Sequence, residues 1–306
     1  MARCRSLCWE LGDLQEFDYA APRSVDEALE LLAKAGTAGR VLAGGTDLLV
    51  QMKNRVSDVR YLIDVKRSED RNILDTPAGG GLRIGAAVPC AVLGENATVA
   101  TRFPGLREAA MLIGSDQIQS RATVAGNLCN ASPAADVVPA LVVLGAECRI
   151  AEPGGTRSLP VAEFTTGPGT NALATGELLV GLHIPAQSAG AADAYQRFIP
   201  RAEMDIAVVG VAAQIVLSSD GRCTAARIAL GAVGPRVIRA DAAGDALIGT
   251  MLDEAALYRA AELAREAASP ISDMRAPADY RRSLVGTLTR RVVCQAAARA
   301  RATQEQ

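Results

Sequence analysis

Two short glycine-centred segments, Leu42-Ala43-Gly44-Gly45-Thr46-Asp47 and Thr123-Val124-Ala125-Gly126-Asn127-Leu128, carry the residue types in this chain best suited to binding chemistry. Each begins where an apolar run ends, Val41 to Ala43 in the first and Ala122 to Ala125 in the second. Each places small residues where backbone N–H groups can converge on an anion. One Gly-Gly pair alone reads as an ordinary tight turn; two segments of matched chemistry point to the diphosphate of a dinucleotide. Neither is a P-loop, because no G-K-[ST] follows, and neither is the G-x-G-x-x-G fingerprint. Thr46 offers a hydroxyl to a phosphate oxygen, whereas Asp47 would repel one and is expected to cap backbone or meet a sugar hydroxyl. In the second segment the Thr123 hydroxyl and the Asn127 amide add to the backbone donors, and each charge-assisted bond is worth roughly 1.5–3 kcal/mol. Downstream, Asp136 reads either as an acceptor for sugar hydroxyls or as a charge at a helix N-terminus.

The elements around these segments follow from periodicity. Ser24 and Glu27 form a capping box ahead of a helix whose apolar stripe is Val25, Ala28, Leu29 and Leu32, ended by Gly36 and Gly39. Arg40 to Ala43 read as a strand, Gly44-Gly45 as a turn and Thr46 to Asn54 as a helix, an order that aims free N–H groups and the positive helix end at the turn. Further strands are expected at Tyr61 to Val65, Leu82 to Ala86, Cys148 to Ala151 and Leu178 to Ile184, the last with Val180, Leu182 and Ile184 on one face. Helices are expected at Leu106 to Ile113 and Ala134 to Leu144. After Pro185 the texture changes. Small and polar residues lead to two apolar runs, Ile206 to Leu217 and Cys223 to Val233, joined by a tight turn, and then to alanine-rich helices at Glu254 to Ala268 and Tyr280 to Ala302. The class is α+β, divided near residue 190.

Composition removes several functions. The 306 residues are 49% hydrophobic and 22% charged with a formal net charge of -2, enough for a substantial core but with no basic footprint for nucleic acid or anionic lipid. The seven cysteines, Cys4, Cys8, Cys90, Cys129, Cys148, Cys223 and Cys294, contain no C-x-x-C pair, so neither a zinc site nor an iron-sulfur ligand set is signalled. No signal segment and no apolar stretch of spanning length is visible, and a cytoplasmic location is the expectation. The single histidine, His183, lies in an alternating strand with no nucleophile beside it and reads as structural. Arg197, Arg201, Glu203 and Asp205 read as a solvated face, with the alternative that an arginine steadies a reduced cofactor ring.

The quoted residues also form a family pattern. Val41 to Leu48, Ile113-Gly114-Ser115, and Arg121 through Ser132-Pro133-Ala134-Ala135-Asp136 closely resemble the FAD-binding medium subunit of molybdenum hydroxylases, the xanthine dehydrogenase and carbon monoxide dehydrogenase family. Agreement continues through Met204-Asp205-Ile206-Ala207, Met274-Arg275-Ala276 and Tyr280-Arg281-Arg282. The resemblance implies a two-lobed FAD domain of the PCMH/vanillyl-alcohol-oxidase type over residues 1–190, with lobes of about 1–66 and 67–190, followed by a smaller domain of antiparallel sheet and helices over 191–306. It places Val41, Leu42, Ala43, Gly44, Gly45, Thr46, Asp47 and Leu48 with Thr123, Val124, Ala125, Gly126 and Asn127 on the FAD diphosphate, Asp136 on a cofactor hydroxyl, and Ile113 and Leu179 close to the flavin. Arg197 stands where some members carry a lysine near the cofactor. Ala125 stands where the family usually has glycine; if that backbone requires positive φ, its methyl group costs roughly 1–2 kcal/mol.

The implied function is electron transfer within a complex. A large molybdopterin subunit oxidises the substrate, a small subunit with two 2Fe-2S clusters relays electrons, and FAD on this chain passes them to NAD, a quinone, oxygen or another acceptor. The expected assembly is a dimer of heterotrimers, cytoplasmic or membrane-associated through the complex. The alternatives are a self-contained flavin reductase of the same FAD fold and a flavin-free assembly subunit.

Overall fold

A computed structural model describes residues 2–3, 16–54, 59–68 and 71–304; Cys4 and Cys8 lie outside the described residues. Near the N-terminus a small sheet runs in the order Ala2–Arg3, Asp18–Ala20, Tyr61–Asp64, Gly39–Leu42. The last three strands pair in parallel, which requires crossover connections. One crossover is the helix Val25–Ala35. Its Ser24 cap accepts the Glu27 N–H at 3.1 Å, while Glu27 reaches back to the Arg23 N–H at 2.8 Å, one residue earlier than in the expected box. The stripe Ala28, Leu29 and Leu32 is buried against Ile63 and Val65 and against Leu178 and Val180 of the next sheet. Leu49 and Val50, on the helix Leu48–Lys53, stay exposed.

The second sheet is antiparallel throughout, in the order Leu74–Asp75, Leu82–Gly85, Leu178–Ile184, Glu147–Glu152, Gly155–Pro160. Helices between residues 90 and 143 cover one face and bury Phe103, Leu106, Leu128 and Leu141. The strand Leu178–Ile184 has the expected bounds but not the expected faces. A register shift between Leu179 and Gly181 puts Leu182 and Ile184 in the main core with Leu179, and turns Val180 to the opposite side with Leu178. A bulge inserts one unpaired residue, so the period-two alternation breaks at that point.

After a two-stranded ribbon of Thr165–Gly167 and Thr170–Asn171, the C-terminal sheet is a meander of Ala191–Phe198, Val209–Leu217, Cys223–Gly231 and Ile238–Arg239. Helix Ala278–Gln304 packs on it, and helix Glu254–Ala267 packs against that helix. Alanines at 260, 264, 296, 297 and 300 are buried there, and their small side chains let helix and sheet approach closely. Arg281 of the last helix is buried and donates to the Val208 carbonyl at 2.8 Å and to Asp273 at 2.7 Å, tying the segment around Met274 to the sheet.

The strand Ala191–Phe198 forms the seam between the two halves. Alternate residues face the same way, and Asp193, Tyr195 and Arg197 all meet the first half. Asp193 accepts the Leu106 N–H at 3.1 Å at the start of helix Pro104–Met111. Glu108 on that helix accepts the Tyr195 N–H at 3.0 Å, the Gln295 amide at 2.9 Å and the Arg299 guanidinium. Burial pushes the Asp193 carboxyl up to about 7, against the pull of the N–H groups of Gly105 and Leu106.

The sign of the resulting pH dependence is set by a folded-state value above the unfolded one of about 3.9. Asp193 binds its proton more tightly when folded, so its contribution to stability is full below about pH 4 and is lost as pH rises to about 7. Asp136 acts in the same sense up to about 6. Urea titrations across this range should therefore show a downward slope whose upper part, between about pH 6 and 7, vanishes in Asp193→Asn. An unchanged slope in that variant would remove Asp193 as its cause.

Candidate functional site

The strand Gly39–Leu42 delivers the chain into the first glycine segment at the edge of the parallel sheet. Gly44 lies directly against the second segment. A Cβ there would stand 2.2 Å from the Arg121 carbonyl oxygen and 2.9 Å from Ala122 Cα. Gly45 has φ of 77°, a conformation natural to glycine. The following helix starts at Leu48 rather than Thr46. Asp47 occupies its N-cap position but with helical φ/ψ of -94° and -45° and no capping bond, so the expected backbone cap is absent. Its exposed carboxylate looks onto the cleft, and the protein mass around it raises its pKa. Among the described residues, the N–H groups of Gly44, Gly45, Thr46 and Asp47 donate to no protein acceptor. Four consecutive free donors at one bend are the chemistry an anion site requires.

The second segment is a helix start rather than a glycine turn. Thr123 is extended and caps the helix Val124–Cys129, its Oγ1 accepting the Gly126 N–H at 2.9 Å. Neither Ala125 nor Gly126 has positive φ, so the strain expected at Ala125 does not arise. The signal available in the sequence was a threonine three residues before a small residue, which is capping chemistry. Gly126 is small for a different reason: a Cβ would meet the capping Thr123 Oγ1 at 2.9 Å. The Asn127 Oδ1 atom is buried without a hydrogen-bond partner. Asn127 is in the cleft wall, and a buried oxygen left unpaired is satisfied only by a donor.

Both segments line one cleft of about 800 Å³, together with Ile113 and Leu179. That volume lies within the range of about 300–1,000 Å³ typical of small-molecule and cofactor sites. Val41, Ala43 and Leu48 are also in its wall. Leu42 and Val124 are not, because each turns into a hydrophobic cluster. Asp136 and Arg197 are likewise outside the lining. They face each other in the seam, with Arg197 donating to Asp136 Oδ2 at 2.6 Å and the Tyr195 hydroxyl to Oδ1 at 2.8 Å. Both Asp136 oxygens are thus engaged by the C-terminal sheet, and burial pushes its carboxyl up to about 6 against the opposing effect of Arg197. Arg197 Nε is buried without a partner.

Other wall residues carry no local sequence signal. Gln51 donates to Asn130 at 3.0 Å, and Asn171 donates to the Cys129 carbonyl at 2.9 Å. The stretch 173–178 forms a further part of the wall. It is held by Arg157, which binds Glu177 with two bonds of 2.7 Å and the Ala172 carbonyl at 3.1 Å. Arg40 is the one basic side chain in the lining among the described residues. A site whose donors are mainly neutral amides holds a diphosphate by numbers of bonds rather than by a cationic cluster.

His183 is half-buried, and the cysteines at 90, 129, 148, 223 and 294 are free. Among the described residues no group of His, Cys, Asp or Glu could hold a metal ion, and no helix is long and apolar enough to cross a membrane.

Comparison with known proteins places this geometry. Residues 15–187 match the family described as FAD binding domain in molybdopterin dehydrogenase, and residues 194–296 match the CO dehydrogenase flavoprotein C-terminal domain. The carbon monoxide dehydrogenase medium chain of Afipia carboxidovorans is 35% identical over 285 residues, covering 93% of this chain and 98% of the relative. The xanthine dehydrogenase FAD-binding subunit of Escherichia coli O157:H7 is 32% identical, with 93% and 98% covered. Among solved structures, reconstituted CO dehydrogenase from Oligotropha carboxidovorans superposes with a TM-score of 0.89 at 33% identity, over 93% of this chain and 99% of the other. The free amides suit the diphosphate of FAD, the unpaired Asn127 oxygen calls for a donor such as one of its hydroxyl groups, and the cleft volume can take a cofactor of that size. The chain belongs to the FAD-binding medium subunits of the molybdenum hydroxylases.

Proposed function

We propose that the cleft holds FAD with its diphosphate on the amides of Gly44 to Asp47 and at the Thr123–Asn127 helix start, and its flavin beside Ile113 and Leu179. The observation that carries this reading is the run of free N–H groups at the bend where Gly44 packs on residues 121–122. When bound, FAD supplies a centre able to accept and release electrons singly or in pairs. The chain's own residues bind and orient it. The apolar walls at Ile113 and Leu179 exclude water from one part of the cleft, and the 173–178 segment, held by Arg157, closes one side. Asp136 and Arg197 fix the C-terminal sheet to the segment that follows the 124–129 helix. Asp47 is the titratable carboxylate in the wall whose pKa is raised by the surrounding protein. Among the described residues of the wall no nucleophile–base pair accompanies it, which suits a protein that positions a redox cofactor rather than one that moves substrate protons.

In this reading the chain works in a cytoplasmic complex with a large molybdopterin subunit and a small subunit holding two 2Fe-2S clusters, assembled as a dimer of heterotrimers. Electrons arrive from the clusters and leave to NAD, a quinone, oxygen or another carrier. The two halves divide near residue 190. Relatives named for carbon monoxide and for xanthine match this chain over nearly their whole length, which agrees with a substrate pocket on the large subunit. The test is a gentle purification of the tagged chain, with a visible spectrum and metal analysis. Flavin with stoichiometric molybdenum and iron is the expected result. Flavin without either metal would favour a self-contained reductase, and no flavin would favour an assembly subunit.

A further inference from the structure

The amides of Gly44 to Asp47 are free and belong to residues of the cleft wall, which leaves open what fixes their orientation. The central strand Tyr61–Asp64 of the parallel sheet runs into a single turn, Val65–Arg67, capped by Asp64, whose Oδ1 accepts the Lys66 N–H at 3.0 Å. That turn brings Lys66 Nζ to 2.8 Å from the same Asp64 oxygen and lets it donate to the Ala43 carbonyl at 3.1 Å. From the neighbouring strand the Tyr19 hydroxyl donates to Asp64 Oδ2 at 2.8 Å. Three parallel strands therefore meet in one chain of bonds that ends on the first glycine segment. Burial alone would raise the Asp64 carboxyl; the bonds from Lys66 and Tyr19 outweigh it and hold the group below the usual range, so it is ionised at neutral pH.

We propose that Lys66, held by Asp64 and Tyr19, is a positioning residue that locks the Ala43–Gly44 peptide with its carbonyl on the lysine and its N–H toward the bound diphosphate. A trans peptide is planar, with C=O and N–H pointing in opposite directions, so anchoring the Ala43 oxygen fixes the direction of the Gly44 N–H. The anchor matters because Gly44 has no Cβ and its φ is not restricted as that of other residues is, which makes rotation of this peptide plane inexpensive. Lys66 itself is absent from the cleft wall, whereas Ala43 and Gly44 are part of it. The lysine thus acts through the peptide and not by contact with the ligand.

The inference rests on the FAD site described above, and two variants of the full chain test it. Lys66→Met removes the anchor. Asp64→Asn keeps the lysine charge but releases it, and separates positioning from simple attraction: removing a negative charge near a diphosphate would by itself tighten binding, whereas loss of positioning weakens it. FAD affinity, read by flavin fluorescence, is expected to fall about tenfold in each variant, the equivalent of about 1.4 kcal/mol. At saturating FAD the phosphorus NMR signals of the diphosphate should shift from their native positions, and Lys66→Arg should restore much of the affinity. Thermal midpoints of the cofactor-free proteins identify any loss caused by unfolding, to which the partly exposed Lys66 site is less prone than buried Asp64. Tighter or unchanged binding in folded Asp64→Asn, or Lys66→Met within about twofold of native affinity with unmoved phosphorus signals, overturns the proposal. Failure of the unmodified chain to bind FAD would overturn the reading beneath it as well, and that outcome is distinct because it appears before any substitution is made.

Discussion

Gly44→Ala is expected to abolish FAD retention while leaving most secondary structure in place. The added Cβ would lie 2.2 Å from the Arg121 carbonyl oxygen and 2.9 Å from Ala122 Cα. These are backbone atoms and cannot rotate aside, so one segment has to move away from the other. Overpacking of this kind costs about 1–3 kcal/mol or more in stability. The effect on binding is larger, because separating the segments takes donors on both sides out of register at once. Loss of two charge-assisted bonds at roughly 1.5–3 kcal/mol each corresponds to a dissociation constant raised by at least about 100-fold. Fluorescence titration of FAD into the cofactor-free chain measures it. The comparison is Gly126→Ala, where the added Cβ meets the Thr123 hydroxyl oxygen and no backbone beyond its own helix; there a disturbed cap costs about 1 kcal/mol. Equal affinities for these two variants would sink the account of Gly44 as the contact between the segments.

The second large effect is expected at the seam. Arg197→Met should destabilise the protein by about 3–5 kcal/mol, the cost of leaving a buried carboxylate without its counter-charge. The Arg197 and Asp136 side chains are only 5% and 9% exposed, so water cannot replace the lost partner. Changing both, as Asp136→Asn with Arg197→Met, should recover much of the loss, and urea unfolding of the four proteins in a double-mutant cycle gives the coupling. The sign of the pH dependence follows. Without Arg197 the Asp136 carboxyl rises beyond its already elevated value of about 6. The single variant is then least damaged at low pH, where the carboxyl is protonated in both folded and unfolded states, and most damaged as pH rises through that value. Strictly additive single effects would show that the pair makes no contribution as a pair.

Arg197 also shows how a charge is misread from the chain alone. In sequence it stands with Arg201, Glu203 and Asp205 and reads as solvated surface. In the fold Arg201 and Asp205 do pair near the surface, with the Arg201 side chain 68% exposed, but Arg197 points back into the protein. Its position on the strand Ala191–Phe198 puts it on the same face as Asp193 and Tyr195, and that face is covered by the other half of the molecule. Asp136 stands at the start of the helix Val137–Val143, as one of its two sequence readings expected, but its carboxylate ends as the acceptor for two C-terminal side chains, which only the fold decides. Ala125 was misjudged because two glycine-rich segments of matched appearance have different local structures. Gly45 supplies the positive φ of the first, while the second is an ordinary helix start capped by Thr123.

What the chain determines by itself is local. Ser24 as a cap, the stripe of Ala28, Leu29 and Leu32, the bounds of the strand Leu178–Ile184, and the long C-terminal helix all depend on neighbours within a few residues. The two small-residue segments belong to the same class, since only their own side chains decide how closely another group can approach the backbone. The tertiary structure alone decided which N–H groups stay free, that Gly44 is pressed against residues 121–122, which face Val180 takes after the bulge, and that Asp64 and Lys66 hold the Ala43 carbonyl. Those outcomes depend on partners distant in sequence. Hydrogen bonds and ion pairs of buried groups are settled only when packing brings donor to acceptor and removes water as the competitor.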